Sequence, residues 1–291
     1  MRGMMIWDAH CHLSGVPGGT PDERLAQLIT FADRLGIERV CICMGMNWSY
    51  DPSPEEMRRQ NDEVLAALGR WHHRAFGFVY LTPNHVEASL AELDRCVKRL
   101  GMKGILLYTN LAGKFPDEPE FRWLFHRAVE LDVPILLHPP LPVTASLVKA
   151  YEMISTLGNM FDDTIALTRL IMSGLLDQLP RLKVVCPHLG GTLPYIIGRM
   201  DHQVRVLKRG PKYLTRLPSE YLKLVWLDIV SPLPLAMRYA YDMLGAGRLV
   251  YSSDRPWVNP KDILDGLRSL KLPAEEEAMI LGGNAHSLFC L

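Results

Sequence analysis

Two histidines separated by one cysteine, His10-Cys11-His12, follow the apolar run 4–7 near the start of the chain. In a β-strand, residues i and i+2 point to the same face, so these two imidazoles can bind one cation together. Pairs of this kind also occur among ordinary surface histidines. The interpretation as a metal site therefore depends on whether further ligands follow other strand-like runs.

Three more polar residues stand at the ends of such runs. His138, His188 and Asp254 each directly follow a short apolar stretch. Each one alone has an ordinary explanation, as a packed core histidine or as a residue that caps a turn. Imidazoles and a carboxylate that meet at one buried place need a cation, however, because such groups cost several kcal/mol when they are buried unpaired. The joint pattern therefore favours a metal site.

The ligand types indicate which ion would bind. Imidazole suits zinc and other first-row divalent ions, whereas calcium and magnesium prefer shells of oxygen ligands. A second ion would need a bridging ligand at the end of the fourth predicted strand, and that strand ends with Tyr108-Thr109-Asn110. We therefore predict one divalent ion, with Zn²⁺ as the first choice and Mn²⁺, Fe²⁺ or Ni²⁺ as alternatives.

Short apolar runs alternate with amphipathic stretches along nearly the whole chain, which is typical of βα units around a parallel sheet. The runs number about eight, which is the strand count of a (β/α)₈ TIM barrel. All strands of such a barrel end on one face, so the histidines and Asp254 would converge there. The predicted strands are 4–9, 39–44, 75–80, 103–108, 134–138, 183–186, 223–228 and 248–252.

Helical patterns fill the intervals between these strands, and a chain of 291 residues suits one barrel domain that spans 1–291. The stretch 139–158 is longer than an ordinary βα loop, so we predict that it forms a lid over the active-site end. The predicted helices are 21–35, 54–68, 86–100, 119–131, 164–176, 233–244 and a final helix within 274–291.

Composition restricts the partners. Thirty-two Lys and Arg residues balance thirty-two Asp and Glu residues, so no overall field favours nucleic acid or an anionic membrane. No run reaches the roughly 18 apolar residues that a membrane span needs, and no signal-like segment follows Met1. Six cysteines without a CxxC pair indicate reduced core thiols. We expect a cytoplasmic protein whose partner is a small molecule, with neither nucleic acid nor a membrane as a partner.

Several separated motifs stand in order along the chain, and together they resemble the amidohydrolase superfamily. Within it they resemble the amidohydrolase-related branch of metal-dependent decarboxylases, typified by 2-amino-3-carboxymuconate-6-semialdehyde decarboxylase and γ-resorcylate decarboxylase. The resemblance covers nearly the whole chain. The motifs are Asp8-Ala9-His10-Cys11-His12, Leu100-Gly101-Met102-Lys103-Gly104-Ile105, Pro134-Ile135-Leu136-Leu137-His138-Pro139, the block 164–180, Pro187-His188-Leu189-Gly190-Gly191, Ser252-Ser253-Asp254-Arg255-Pro256 and Gly283-Asn284-Ala285.

The resemblance implies a function as well as a fold. It implies that His10, His12, His138 and Asp254 bind zinc and that His188 is the catalytic acid/base. Asp254 would also take a proton from bound water. The expected activity is that of a carboxy-lyase, which removes CO₂ non-oxidatively from an unsaturated or aromatic carboxylic acid through a metal-bound water. Relatives are often dimers, so a homodimer is also expected.

Two alternatives stay open at this stage. The same ligands would serve a hydrolase that acts on a lactone, ester or amide, with His188 protonating the leaving group. In a non-catalytic protein, the ion would only hold the barrel together. A structural zinc ion is usually enclosed by four protein ligands, whereas the ligands predicted here lie at the open mouth of a barrel.

Residues near the ligands suggest how a substrate would bind. Arg255 follows Asp254, and Arg169 lies in a predicted helix; either could bind a carboxylate through two parallel hydrogen bonds, or form a structural ion pair instead. Trp48 is expected to form a wall for a flat ring. Many relatives have glycine where this chain has Leu189 and an aromatic residue where it has Arg255. Positive groups in the cavity would favour a carboxylate substrate, and a neutral cavity would favour a lactone or ester.

Overall fold

A barrel of eight parallel strands forms the centre of the molecule, as the alternation of apolar runs predicts. The computed structural model describes residues 5–47 and 49–289. The strands are β1 (Trp7–Cys11), β2 (Arg39–Ile42), β3 (Ala75–Tyr80), β4 (Gly104–Tyr108), β5 (Ile135–His138), β6 (Val184–Cys186), β7 (Trp226–Asp228) and β8 (Leu249–Val250).

Each strand pairs in parallel with the next along the chain, from β1 to β8. Backbone hydrogen bonds then join the last strand region to the first. The Ala9 N–H donates to Tyr251 O at 3.2 Å, and the His12 N–H donates to Arg255 O at 2.8 Å. The C-terminal ends of β1, β5, β6 and β8 therefore lie around one opening, which confirms the predicted TIM-barrel arrangement.

Helices surround the strands. The described residues include three π-helical stretches: Asp94–Arg99 extends the helix Val86–Leu93 toward β4, and Ile154–Gly158 and Met279–Gly283 each join two helical segments. Among the described residues, no helix is both long enough and apolar enough to cross a membrane. The α-helices are α1 (Pro21–Leu35), α2 (Pro54–Trp71), α3 (Val86–Leu93), α4 (Arg122–Leu131), α5 (Ala145–Val148), α6 (Asn159–Met172), α7 (Leu175–Gln178), α8 (Leu193–Arg205), α9 (Pro218–Leu222), α10 (Pro234–Leu244), α11 (Pro260–Ser269), α12 (Ala274–Ala278) and α13 (Asn284–Phe289).

Helix α1 shows how the sequence fixes an element. The Thr20 side chain accepts from the Glu23 N–H, and the Glu23 carboxylate accepts from the Thr20 N–H, which satisfies two donors at the helix start. Gly36 ends the helix with φ of +71°, a conformation that glycine adopts without strain. Four residues on one stripe (Leu25, Leu28, Ile29 and Ala32) are buried, so the predicted bounds of this helix are confirmed.

The predicted and observed elements differ at several places. The predicted first strand, 4–9, overlaps β1 but ends two residues before it, so His10 lies inside a strand rather than after one. The predicted helix 164–176 begins later than α6, whose first turn starts at Asn159. Neither α8 nor α11 is among the predicted helices. The buried residues of α8 all lie in its first half, so its apolar stripe is short and gives a weak helical pattern. Helix α11 does carry a buried apolar stripe, so its pattern was a usable signal.

Asn61 is fully buried in α2 and holds the end of strand β3. Its Nδ2 donates to Tyr80 O and to Glu92 Oε1, both at 3.0 Å, and its Oδ1 accepts from the Tyr80 N–H at 2.8 Å. Asn61→Ala would leave these buried groups unpaired, so we expect the free energy of unfolding to fall by about 2–4 kcal/mol in urea denaturation. The exposed residue Asn84 provides the control, because Asn84→Ala should change stability by less than about 0.5 kcal/mol. Equal losses in both variants would contradict this role for Asn61.

Candidate metal centre and active site

Strands β1 and β5 bring three of the predicted ligands together. His10 lies in β1, His12 follows β1, and His138 ends β5; these residues are 0%, 1% and 9% exposed. The Nε2 atoms of His10 and His12 stand 3.0 Å apart, as expected for alternate residues of an extended chain. One ring nitrogen from each of the three histidines lies within 4.8 Å of the others. The fold therefore forms a histidine cluster at one end of the barrel.

Asp254 joins this cluster from the loop after β8. Its Oδ1 lies 3.0 Å from His12 Nε2 and 3.6 Å from His10 Nε2. Asp254 adopts a left-handed φ of +55°, which is uncommon outside glycine and is found at functional sites. Its N–H donates to His10 O at 2.9 Å. Asp8 stabilises the same loop by accepting from the Ser253 N–H at 2.9 Å, and its carboxylate is not part of the cluster.

The donor atoms fit one divalent ion. Two ligands that each lie about 2.1 Å from an ion are separated by roughly 3 Å, which matches the spacing of the His10, His12 and Asp254 donor atoms. Within the described residues, His138 Nδ1 is buried without a hydrogen-bond partner. Burial lowers the pKa of His12 and of His138, which favours the neutral imidazoles that bind metals. Three imidazoles and one carboxylate are ligands that suit a first-row ion.

Asp228, the last residue of β7, supports two site residues at once, although no sequence motif singles it out. Its Oδ2 lies 3.1 Å from His10 Nδ1, and its Oδ1 accepts from the His188 N–H at 2.7 Å. Burial would lower the pKa of His10, but Cys43, Asp228 and Asp254 outweigh burial and raise it to about 9. The contact at Nδ1 turns Nε2 toward the other predicted ligands, as outer partners of metal-binding histidines commonly do.

Asp228→Asn tests this orienting role, because it keeps the shape of the side chain and removes the charge. We expect the affinity for a divalent ion to fall about 10-fold to 100-fold. Competition with a coloured chelator would measure the affinity. Asp242→Asn, on the exposed side of α10, is the matched control and should bind the ion as the wild type does. Wild-type affinity in Asp228→Asn would rule out the orienting role.

His188 lies beside the cluster in the turn after β6. Its Nε2 is 3.6 Å from Asp254 Oδ2, and its Nδ1 is 2.8 Å from Asp163 Oδ2. Burial alone would lower the pKa of His188, but the carboxylates of Asp163 and Asp254 outweigh burial and raise it well above its usual value. Burial raises the pKa of Asp163 itself to about 6. One ring nitrogen is thus fixed by a carboxylate, and the other can hold or release a proton beside the cluster.

A close contact between the His188 turn and helix α6 brings Asp163 into place. Gly191 adopts φ of +64°, and a Cβ atom there would lie only 2.2 Å from Met160 O. The Gly190-Gly191 pair in the sequence predicts that something approaches the backbone here, and the structure confirms this at Gly191. The first turn of α6 is the element that approaches.

Asp162 anchors the same helix to the opening of the barrel. Its Oδ2 accepts from Thr109 Oγ1 at 2.6 Å and from Asn110 Nδ2 at 2.7 Å, and its Oδ1 accepts from the Val143 N–H at 2.9 Å. The end of β4 is therefore tied to α6 and to the start of the segment 139–158. Thr109 and Asn110, which stand where a second ion would need a bridging ligand, serve this anchor instead.

A cavity of about 640 Å³ adjoins the cluster, with His12, His138, His188 and Asp254 in its wall. The segment 139–158 contributes part of the wall. The other lining residues are Ser14, Met44, Tyr50, Pro139, Pro140, Ile154, Ser155, Thr156, Asn159, Met160, Val230, Pro232, Trp257 and Val258.

Comparison with known proteins identifies the family. The family model described as amidohydrolase matches residues 7–291. The chain belongs to the amidohydrolase family. It is thus an enzyme. The individual relatives support the amidohydrolase-related branch of metal-dependent decarboxylases, which the sequence motifs also indicate.

Two curated relatives of this amidohydrolase are decarboxylases. The chain is 30% identical over 255 residues to γ-resorcylate decarboxylase of Polaromonas sp., and the match covers 81% of this chain and 77% of the relative. It is 26% identical over 230 residues to 2-amino-3-carboxymuconate-6-semialdehyde decarboxylase of Dictyostelium discoideum, covering 77% of this chain and 64% of that relative. The chain therefore spans slightly less than two thirds of the second relative.

A solved structure extends the likeness to the fold. Dihydroxybenzoic acid decarboxylase of Polaromonas sp., solved with bound manganese and the inhibitor 2-nitroresorcinol, superposes with a TM-score of 0.84. The two chains are 25% identical, and the match covers 99% of this chain and 97% of the other. Together with the histidine cluster, this likeness supports a single divalent ion in this amidohydrolase.

The arginines that the sequence suggests for substrate binding are not among the residues that line the cavity of this amidohydrolase. Arg169 donates to Asp117 at 2.6 and 3.2 Å. The Arg255 guanidinium stacks on the Phe31 ring at 3.6 Å from its centre. Among the described residues, no Lys or Arg lines the cavity. The predicted contacts of both arginines with substrate stay predictions, and Trp48 lies outside the described residues.

Leu189 stands where the resemblance implies glycine, and its backbone conformation is one that favours glycine. It has φ of +55°, directly after His188 with φ of +53°. Glycine adopts this conformation without strain, so the glycine of relatives is the expected residue here. Leu189 is instead buried in the hydrophobic core, which offsets the backbone cost through apolar contacts.

Proposed function

We propose that this enzyme catalyses the non-oxidative decarboxylation of an aromatic carboxylic acid. In this proposal His10, His12, His138 and Asp254 hold one divalent ion, and His188 is the acid/base. The observation that carries it is the position of His188, between Asp163 on one ring nitrogen and Asp254 near the other, in the wall of the cavity. The decarboxylase activity of the relatives supports the same choice of reaction.

Each of the chain's own groups has a step in this reaction. His188 donates the proton on Nε2 to the ring carbon that carries the carboxylate, while Asp163 stabilises the protonated imidazole before transfer. The carbon–carbon bond then breaks, its electron pair restores the ring, and CO₂ leaves. A divalent ion, when bound, supplies Lewis-acid stabilisation of negative charge on substrate oxygens. The proton that each turnover consumes comes from solvent, and the carboxylate of Asp254, 3.6 Å from His188 Nε2, lies where it can take a proton from water and pass it to that nitrogen.

The proposal also concerns which divalent ion binds. Three imidazoles and one carboxylate suit Zn²⁺, and they also suit Mn²⁺, the ion bound in the solved Polaromonas relative. We retain zinc as the prediction and manganese as its main alternative. Elemental analysis of the protein purified without added metal would distinguish them.

Hydrolysis of a lactone or ester is the second candidate, and one observation favours it. No Lys or Arg among the described residues lines the cavity, so apart from the histidines the walls offer no counter-charge to a carboxylate. A neutral carbonyl substrate would need none. For a carboxylic acid, the ion and the protonated His188 must supply the counter-charge, which requires the acid to bind directly beside the histidine cluster.

The two reactions differ in their products, which gives a direct test. Protein loaded with Zn²⁺ or Mn²⁺ is incubated with a panel of hydroxylated benzoic acids, unsaturated acids and lactones, while CO₂ and titratable acid are both recorded. We expect CO₂ from at least one aromatic acid and its loss after chelation of the ion. Acid production from a lactone without CO₂ from any carboxylic acid would replace decarboxylation with hydrolysis.

The proposal extends to the lid, the domain organisation, the oligomeric state and the cellular location. We propose that the segment 139–158 acts as a lid, because its residues line the cavity wall. We also propose one domain over 1–291, a homodimer, and a cytoplasmic protein that acts on a small carboxylic acid and binds no nucleic acid. The five cysteines in the described part of the chain are free and buried, which is typical of proteins in a reducing compartment.

A further inference from the structure

Basic and apolar residues meet at an exposed tip that follows helix α8. We define the basic tip as residues 205–210, all of which are exposed. Val206 is 52% exposed and Leu207 is 43% exposed, and they lie between Arg205 on one side and Lys208 and Arg209 on the other. The whole chain has a formal net charge of zero, whereas residues 205–213 contain four basic residues and no acidic one. The tip therefore carries a local positive charge beside exposed apolar surface.

Backbone hydrogen bonds hold the basic tip in a defined shape. The N–H groups of Val206 and Leu207 both donate to His202 O, at 2.9 and 3.2 Å. The Arg209 N–H donates to Gln203 O at 3.0 Å. The chain thus folds back onto the end of α8, and the two apolar side chains are presented together rather than on a loose loop.

Lys212 and Tyr213 extend the same surface. Lys212 Nζ donates to Lys208 O at 2.5 Å, which places its charge against the basic tip. The Tyr213 side chain is 61% exposed, while its OH donates to Met172 O at 2.9 Å and so fixes the ring. Aromatic side chains with an apolar body and a polar end are enriched where a membrane meets water.

The positive charges of this surface are not neutralised by the protein itself. Within the part of the chain that the structure describes, Arg205, Lys208, Arg209 and Lys212 form no ion pair. The nearby carboxylate of Asp177 is engaged elsewhere, because it pairs with Arg216 at 2.6 Å. Charge complementarity therefore points to an anionic partner.

The exposed apolar side chains indicate which anionic partner fits. A nucleic acid would attract the basic side chains through its phosphates but would gain little from Val206 and Leu207. A lipid surface rewards both features, because anionic headgroups attract Lys and Arg while the layer beneath them accepts apolar side chains. Six consecutive exposed residues also suit a tip that enters a soft surface.

We propose that the basic tip, together with Lys212 and Tyr213, binds an anionic lipid surface reversibly. The balanced overall charge predicts no membrane partner, and the uneven placement of that charge is the reason to revise this expectation for one surface of the molecule. Helix α8 begins after the turn that carries His188 and has 13 residues, so at about 1.5 Å per residue the tip lies about 20 Å farther along the helix. Lipid binding there leaves the cavity open.

Co-sedimentation with vesicles tests this proposal on the full-length protein. One set of vesicles contains phosphatidylcholine alone, and the other contains equal parts of phosphatidylcholine and phosphatidylserine. We expect binding to the anionic vesicles to be at least about tenfold tighter than binding to the neutral ones, since each basic residue near the surface contributes about fivefold. Added salt should weaken the binding, because it screens exposed charges.

Two variants separate the charged and apolar contributions. Arg205→Gln, Lys208→Gln and Arg209→Gln combined should weaken binding to the anionic vesicles about 100-fold. Val206→Ser combined with Leu207→Ser keeps every charge and should weaken binding about tenfold, because the apolar contact is lost. Both variants change exposed side chains only, and melting temperature confirms that they are folded.

The matched control makes the same change of charge elsewhere on the surface. Arg34→Gln, Arg99→Gln and Arg268→Gln combined, all at exposed positions, should keep vesicle binding within about threefold of wild type. Three outcomes would overturn the proposal: no binding to anionic vesicles, equal binding to neutral ones, or equal weakening in the control and the tip variants. Wild-type vesicle binding after loss of Val206 and Leu207, with tight binding to heparin, would instead assign the tip to polyanions in general.

Discussion

His188→Asn should lower kcat by about 10³-fold while the metal content stays at the wild-type level. The variant removes the ring that lies between Asp163 and Asp254, and general acid/base groups typically contribute about 10²-fold to 10⁴-fold. The backbone is expected to keep its place, because the bond from the residue 188 N–H to Asp228 Oδ1 does not involve the ring. Asparagine also tolerates the φ of +53° found at this position.

Two measurements check this expectation. Elemental analysis reports the metal content, and CO₂ release under saturating substrate reports kcat. His202→Asn, in an exposed part of α8, is the matched control and should behave as the wild type. A kcat within tenfold of wild type would show that another group delivers the proton, and loss of the ion would place His188 among the ligands.

The residues that converge on the site could be predicted because each follows a strand. His138, His188 and Asp254 occupy ends of parallel strands, and a barrel places all such ends on one face. The His10–His12 spacing gives the shared face directly through the period of two in extended chain. Once a barrel is assumed, the position of each residue at a strand end therefore predicts that these distant residues meet at one face.

The residues that orient the site could not be predicted in the same way. Asp163 lies inside a helix, where a carboxylate usually faces solvent, and only tertiary packing turns it toward His188. Asp228 does end a predicted strand, as the ligands do, so position was a usable signal. Nothing in the sequence indicates, however, that its two oxygens divide between a ring nitrogen and a backbone N–H.

The arginines show what motif spacing leaves open, and their predicted contacts with substrate stay predictions. Arg255 follows Asp254 directly, yet adjacent residues in an irregular loop need not face the same space. The guanidinium packs on Phe31, and Arg169 pairs with Asp117, a residue 52 positions away in the sequence. Side-chain direction in loops and ion pairs across the chain depends on tertiary contacts, which motif spacing does not encode.

His12→Ala is expected to have the largest effect on the ion itself. His12 Nε2 is central in the cluster, because it lies 3.0 Å from both His10 Nε2 and Asp254 Oδ1. Its loss should weaken metal binding by more than the roughly 100-fold that outer partners contribute, so dialysed protein should contain little ion. We expect kcat to fall at least as far as in His188→Asn, since both the ion and the charge balance of Asp254 are lost.

The fold of His12→Ala separates a catalytic ion from a structural one. The strands are joined by their own backbone bonds, including His12 N–H to Arg255 O, which alanine retains. Circular dichroism should therefore show a folded barrel without the ion, and His73→Ala, on the surface, should keep both ion and fold. Full metal retention in His12→Ala would refute the ligand assignment. Unfolding upon metal loss, reproduced by chelation of the wild type, would instead show that the ion holds the barrel together.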